Sequence, residues 1–340
     1  MMKKTLLASA IATSLVAGSA QAVTLFQNDS LRFDHYGRIQ LQLKNDDGDN
    51  EIQNNGSRFG FRVTHTINDN LTAFGRAEFR FEADERRRGR NTGDDRIFND
   101  LRNTYIGLQG GWGKVTVGNF DGIYFSAVSS VLDLFEEDGY RALVEGGDRA
   151  RGDTLAFETA DLGGLRLGLA ARHYANVGAN NDDEEWNLQA YVQYTGIDNL
   201  TLALAVDQNN EDTGAGLVND GNEYDPVIGL SATYRLDALT ASVLLETSGE
   251  SRSAGLGLSY NYGQGDIYAA ATWHDSWVVV KDGDVEVSSS GQESGIDFGL
   301  GANYKFTSNF RAYAEIARGN EDNSKIGDQT NFTVGARLSW

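Results

Sequence analysis

The sequence predicts an all-β protein, a transmembrane antiparallel β-barrel of 16 strands, and three observations carry that expectation. Apolar and polar residues alternate with a period of two through most of the chain. Short turns and long polar stretches take turns at the junctions between those segments. After the N-terminal segment no run of 18 apolar residues occurs, so no spanning helix is available.

Met1 to Ala22 has a basic start at Lys3 and Lys4, an apolar stretch from Leu6 to Val16, and small residues at Ala20 and Ala22. This is the pattern of a cleaved export signal, too short in its apolar part to span a bilayer. Residues 23–340 are then expected to form one barrel domain. Removing 22 residues from 340 leaves 318, and without Lys3 and Lys4 there remain 27 basic against 49 acidic side chains, a net charge of −22. Nucleic acid is a poor partner for such a chain. There is no cysteine, so an exported protein of this kind holds together without disulfides.

The first strand after the signal places Leu31, Phe33, Ile39, Leu41 and Leu43 on one parity and Arg32, Asp34, Tyr36, Arg38, Gln40, Gln42 and Lys44 on the other. The last does the same, with Phe332, Val334, Ala336, Leu338 and Trp340 against Thr333, Gly335, Arg337 and Ser339. Between them the alternation recurs in Arg58 to His65, Leu71 to Ala83, Lys114 to Gly118, Leu165 to Tyr174, Glu185 to Tyr194 and Leu200 to Asp207. It continues in Val227 to Arg235, Leu239 to Glu246, Ala254 to Tyr262, Asp266 to His274, Ile296 to Tyr304 and Phe310 to Arg318. Leu101 to Leu108 and Thr154 to Thr159 alternate less cleanly and complete the set. Short turns at one end and long loops at the other are the pattern of periplasmic turns and extracellular loops. Tyr194, Tyr234, Tyr260, Tyr304, Phe306, Phe310 and Trp340 sit beside the short turns on the apolar parity, as an interfacial girdle requires, and Trp186, Trp273 and Trp277 lie near the long-loop ends.

The longest segment that rejects a strand is the third long loop, Asn119 to Arg151. Val128, Val131, Leu132 and Phe135 follow an i, i+3, i+4, i+7 spacing, which predicts one short amphipathic helix, followed at once by Glu136, Glu137 and Asp138. A long loop with an apolar face packs on something, and inside a barrel the available surface is the inner wall. The loop is therefore expected to fold into the lumen and narrow it.

Taken together, the exported cysteine-free pattern, Tyr36-Gly37-Arg38 in the first strand, the acidic third loop and the C-terminal aromatic resemble the general porins of Gram-negative outer membranes. The resemblance covers the whole of residues 23–340. It implies an outer-membrane homotrimer of water-filled channels, with basic wall residues facing acidic residues of the inserted loop. Arg38 and Arg58 match the first two basic positions, and both lie on the inward parity. Arg102 resembles the third. Arg151 resembles the fourth but shares parity with Leu155 and Phe157, so it needs a bulge, with Arg149 or Arg141 as alternatives. Arg76 and Arg80, interleaved with Glu78 and Glu82, extend the basic wall or pair with those neighbours. Asp133 and Glu137 resemble the acidic positions, with Glu136 the nearest substitute. The tip departs from the family's usual Pro-Glu-Phe-Gly-Gly, reading Phe135-Glu136-Glu137-Asp138-Gly139.

The function expected from this is passive diffusion of small hydrophilic solutes and ions. An alternative is a saccharide-selective channel in which Tyr124, Phe125, Phe135 and Tyr140 form a stacking track, and a third is a barrel adhesin or lectin without an open pore. A weak cation preference is expected, because acidic residues crowd the mouth: Asp46, Asp47, Asp49 and Glu51, then Asp182, Asp183, Glu184 and Glu185, then Glu321 and Asp322. Arg86 to Arg90, RRRGR, suits acidic groups of a neighbouring subunit or lipopolysaccharide phosphates. The subunit interface is expected near the N-terminal strands, where Asn103 and Tyr105 break the lipid-facing pattern. No cofactor and no enzyme activity are expected. His35, His65, His173 and His274 lie on separate strands with no ligand spacing, and no nucleophile has a base and an orienting partner nearby in sequence.

Overall fold

The computed structural model describes residues 22–46, 48–84, 100–144, 152–177, 183–208, 225–249, 251–275, 279–281, 284–286, 294–319 and 330–340. Arg151, Arg149, Arg86 to Arg90, Trp277, Asp47, Asp182, Glu321 and Asp322 lie outside these.

The wall strands are β1 Leu31–Asp46, β2 Arg58–Asn68, β3 Leu71–Arg80, β4 Thr104–Gly110, β5 Gly113–Asn119, β6 Asp153–Thr159, β7 Leu165–Val177 and β8 Asp183–Ile197. They continue as β9 Leu200–Asp207, β10 Val227–Leu236, β11 Leu239–Ser248, β12 Ser251–Asn261, β13 Gly265–Asp275, β14 Ser294–Lys305, β15 Phe310–Gly319 and β16 Thr330–Ser339. Each pairs antiparallel with its sequence neighbour. The ring closes where β16 pairs with β1, Leu338 opposite Ile39 and Phe332 opposite Asn45. A short segment, Val23–Gln27, pairs with the lower part of β1 along the same edge as β16. Closure leaves no unpaired edge, the condition for a sheet to cross hydrocarbon. Among the described residues no helix is long and apolar enough to cross a membrane.

Period two decides which way each side chain points. In β14 Ile296, Phe298, Leu300 and Tyr304 are exposed on the outside, while Asp297, Gly299, Gly301 and Asn303 are buried on the inside. Tyr194, Tyr234, Tyr260, Tyr304, Phe306 and Phe310 all stay exposed beside short turns, and Trp186 and Trp273 stay exposed toward the other end. Strands β7 and β8 run further outward than their sequence pattern predicts, to Val177 and from Asp183. Tyr105 corrects an expectation: it faces inward, edge-on to Phe74 and Phe120, so it is no part of the lipid-facing surface.

Glycines let aromatic rings lie flat on the neighbouring strand. A Cβ on Gly37 would collide with the Trp340 ring, and one on Gly335 with Tyr313. Trp340 is further fixed by its backbone bonds to Gly37, 2.9 and 3.0 Å, and by its indole N–H donating to His35 Nε2 at 2.9 Å. Gly37→Leu should therefore open the β1–β16 seam at its periplasmic end. The expected loss is about 1–3 kcal/mol of overpacking strain, read as a lower temperature of barrel unfolding in detergent.

The loop between β5 and β6 lies inside. Its described part carries one α-helix, α1 Ile123–Ala127, followed by a single 3-10 turn at Ser129–Leu132. The helix expected over Val128 to Phe135 is thus displaced toward the N-terminus. The Ser126 hydroxyl donates to the Gly122 carbonyl at 2.9 Å and Ser130 to the Ser126 carbonyl at 3.1 Å, and Val128 breaks from helical geometry between the two short pieces. Such back-bonding weakens and bends helices. The apolar residues are still used: Tyr124, Val128, Leu132 and Leu143 are fully buried against inward-facing wall residues such as Ala203, Ala205, Leu244 and Ala270.

Candidate channel constriction

The wall opposite the inserted loop is basic. Register places Arg38 of β1 opposite Arg58 of β2, and Arg58 opposite Arg80 of β3, a row of three arginines across the inner face. Like charges directly opposite in a sheet repel, so such a row needs acidic partners. Glu78 supplies them from one row below. Its fully buried carboxylate is paired with Arg76, with Arg102 at 3.0 Å and with Arg58 at 3.6 Å. Arg102 reaches it because β4 is interrupted: Asp100–Leu101 and Thr104–Gly110 both pair with β3, and Arg102 between them sends its N–H to the Glu78 carbonyl at 3.0 Å. An irregularity of this kind re-aims a side chain. Arg38 instead donates to the backbone carbonyls of Gly56 at 2.9 Å and Asn55 at 3.4 Å. Lower on the same wall the guanidinium groups of Arg62 and Arg76 lie 4.3 and 5.0 Å from the Tyr36 ring centre.

The acidic tip of the loop straddles the β16–β1 seam. Glu136 bridges Arg311 of β15 and Arg337 of β16, which stand directly opposite each other in the sheet, and it accepts from Gln40 at 2.9 Å. Glu137 accepts from Gln42 at 2.5 Å and from Lys44 at 3.0 Å, and Asp138 from Lys44 at 3.1 Å. Beneath the tip the buried Glu315 takes the backbone N–H groups of Glu136 and Glu137 at 2.8 and 3.1 Å and the Tyr268 hydroxyl at 2.6 Å. Burial alone raises the Glu136 carboxyl, but Arg337, Arg311 and Arg38 outweigh it and hold the group below the ordinary carboxylate range.

Of the residues expected from sequence, Arg38, Arg58, Arg102, Asp133, Glu136 and Glu137 all come to the inner face or the inserted loop. The pairing differs from expectation. Arg58 and Arg102 are matched by the wall's own Glu78 rather than by the loop, while Arg38 is among the arginines whose charge acts on Glu136. The direct partners of the tip are Arg311, Arg337 and Lys44, none of which sequence reasoning singled out. Parity already turned Arg337 and Lys44 inward, but not their height on the wall. Asp133 is exposed, with Ser126 exposed and Ser130 partly so on the same loop face. Tyr124, Phe125, Phe135 and Tyr140 are all turned away from that face, each at most 9% exposed.

A family model described as "Gram-negative porin" matches residues 7–336. A "Monosaccharide porin" of Halomonas sp is 30% identical over 303 residues, covering 81% of this chain and 80% of that protein. "Outer membrane protein U" of Vibrio parahaemolyticus is 26% identical over the full length of both chains. Among solved structures, the fold is shared with Salmonella typhi OmpF in complex with daunomycin (TM-score 0.70, 18% identity, 93% of this chain and 99% of that one). It is shared equally with the anion-selective porin from Comamonas acidovorans (TM-score 0.66, 18% identity, 91% and 100%), and with a trimer form of OmpT of Vibrio cholerae (TM-score 0.62, 18% identity, 92% and 100%).

Proposed function

Because the chain belongs to the Gram-negative porin family, whose members are outer-membrane channels rather than enzymes, we propose that it passes small hydrophilic solutes and ions by passive diffusion. The path runs between the basic wall of β1–β4 and the loop face that carries Ser126, Ser130 and Asp133. The observation that carries this reading is the burial of all five aromatics of the loop, Phe120, Tyr124, Phe125, Phe135 and Tyr140. Sugar-selective stacking needs ring faces open to the lumen, and Tyr124, Phe125, Phe135 and Tyr140 are each at most 9% exposed. The relative named a monosaccharide porin favours small neutral sugars among the solutes, hydrogen-bonded by arginine, carboxylate and amide groups. Flux of monosaccharides into liposomes should scale with molecular size and should not saturate. Saturating flux, or block of single-channel current by micromolar oligosaccharide, would favour the saccharide-selective reading instead.

The ion preference we propose is weak and for cations. Glu78, Glu136, Glu137 and Asp138 are each held by basic neighbours, and Arg38, Arg58, Arg76, Arg102, Arg311, Arg337 and Lys44 outnumber those four acids, so the constriction taken alone is neutral or leans toward anions. The acidic mouth tips the balance by raising the local cation concentration before the constriction is reached, an effect that salt screens beyond roughly 8 Å at about 0.15 M. A reversal potential in a potassium chloride gradient should report modest cation selectivity that shrinks as salt rises; anion selectivity in the unmodified channel would overturn the proposal.

The working assembly in this reading is a homotrimer, surrounded by outer-membrane lipid and lipopolysaccharide, with residues 1–22 removed on export. The subunit contact falls on the outer face of β1–β3. There Phe33 stacks on Phe61 at 5.5 Å and Phe59 on Phe79 at 5.4 Å, beside the small residues Ala73, Gly75 and Ala77. Mass measurement in mild detergent tests it.

A further inference from the structure

The inserted loop leaves the wall at β5 and returns at β6, and two limbs of such a loop have no reason in the chain itself to stay together. On the inner face of β11 the Glu246 carboxylate, 5% exposed, meets both limbs. Its Oε1 accepts from the Tyr124 hydroxyl of α1 at 3.0 Å and from the Ser129 hydroxyl of the 3-10 turn at 2.9 Å. Its Oε2 accepts the backbone N–H of Leu143, on the returning limb, at 2.7 Å. We infer that Glu246 is a positioning residue that ties the outgoing and returning limbs of the loop to one point on the wall and thereby sets the bore of the channel.

Three features argue for this role over a merely tolerated buried acid. A carboxylate removed from water is costly unless its oxygens are satisfied, and here Tyr124 and Ser129 on one limb lie 19 and 14 residues from Leu143 on the other, so the contact closes a loop within the loop. The wall beside it is cut away to let the limb approach: a Cβ on Gly229 would collide with the Tyr124 hydroxyl and lie 2.7 Å from Val128. Hydrogen bonds to a charged acceptor are the stronger kind, and this one group collects at least three of them. Glu315 anchors the tip separately. Among the described residues, Gln189, Ser231 and Thr272 each make a single bond to the loop between these points, so loss of Glu246 removes the carboxylate that joins the two limbs and loosens the loop along its length.

The inference rests on the lumen being the conducting path, and the test keeps the two apart, since an unmodified protein that fails to conduct would sink the channel reading itself. Glu246→Ala should raise single-channel conductance about twofold, add open-channel noise and admit larger neutral solutes, because the loop no longer fixes the narrowest section. Tyr124→Phe removes one donor of the outgoing limb alone and should raise conductance by less than Glu246→Ala, and adding it to Glu246→Ala should change conductance little further, because both act through the same contact. If the alanine variant does not form a barrel, Glu246→Gln, which keeps volume and one acceptor oxygen, should shift conductance in the same direction by less. Parent-like conductance in a folded Glu246 variant, or fully additive effects of Tyr124→Phe and Glu246→Ala, would overturn the inference.

Discussion

Replacing Glu136 by alanine should shift the channel toward anions and loosen the tip of its inserted loop at once. Arg311 and Arg337 are directly opposite in the sheet, and in the native protein one carboxylate bridges them. Without it, two guanidinium groups that are 24% and 12% exposed face each other beside Arg38 with no acid between them. Removing one partner of a buried pair costs about 3–5 kcal/mol, and the partial exposure here argues for the lower end. The ion sees the change as well. A unit charge about 5 Å from its path is worth roughly 0.8 kcal/mol in water, about fourfold in local concentration. A reversal potential that moves toward anions at low salt, and moves less at high salt, is the expected result. Glu136→Gln keeps shape and some hydrogen bonding, so it should give the selectivity shift with less loosening. An unchanged reversal potential in both variants would mean that Glu136 lies off the ion path.

Gly255→Leu should have the opposite effect on bore. Gly255 of β12 faces inward, and a side chain there would occupy the space of the fully buried Leu132 and meet Thr272. The wall is backbone, held by ladder bonds to β11 and β13, whereas the loop is joined to it mainly by side-chain contacts and a few hydrogen bonds. The loop is therefore the part that yields, and it can yield only into the lumen. Overpacking of this kind costs about 1–3 kcal/mol, with conductance expected to fall by about half. Gly255→Ala should do the same more weakly. A rise in conductance would mean instead that the loop is expelled, and an unchanged value that Leu132 finds another seat.

Much of this is legible in the sequence. The strict alternation in β1 and β16, the alternation of short turns with long loops, and the apolar stripe in the third loop each follow from side-chain chemistry acting over a few residues. Arg38 and Arg58 could be turned inward on parity alone, since one residue's shift would put charge into lipid. The loop's helix was misplaced for an equally local reason. Its apolar spacing has a helical period, but serines at 126 and 130 offer the backbone competing hydrogen bonds, and the apolar side chains reach for several strands rather than one face.

What the sequence determined by itself, then, is the barrel: strand number, inside and outside, the loop that turns inward and the kinds of charge on each surface. The tertiary structure alone decided which charges meet. Arg311 and Arg337 stand 175 and 201 residues from Glu136 in the chain, and Glu246 stands 122 and 103 from Tyr124 and Leu143. Parity gives the direction of a side chain, but its height on the wall depends on the summed register of every ladder between two strands. The direction in which a loop residue points depends on which wall it finally packs against, and neither quantity has a local signature.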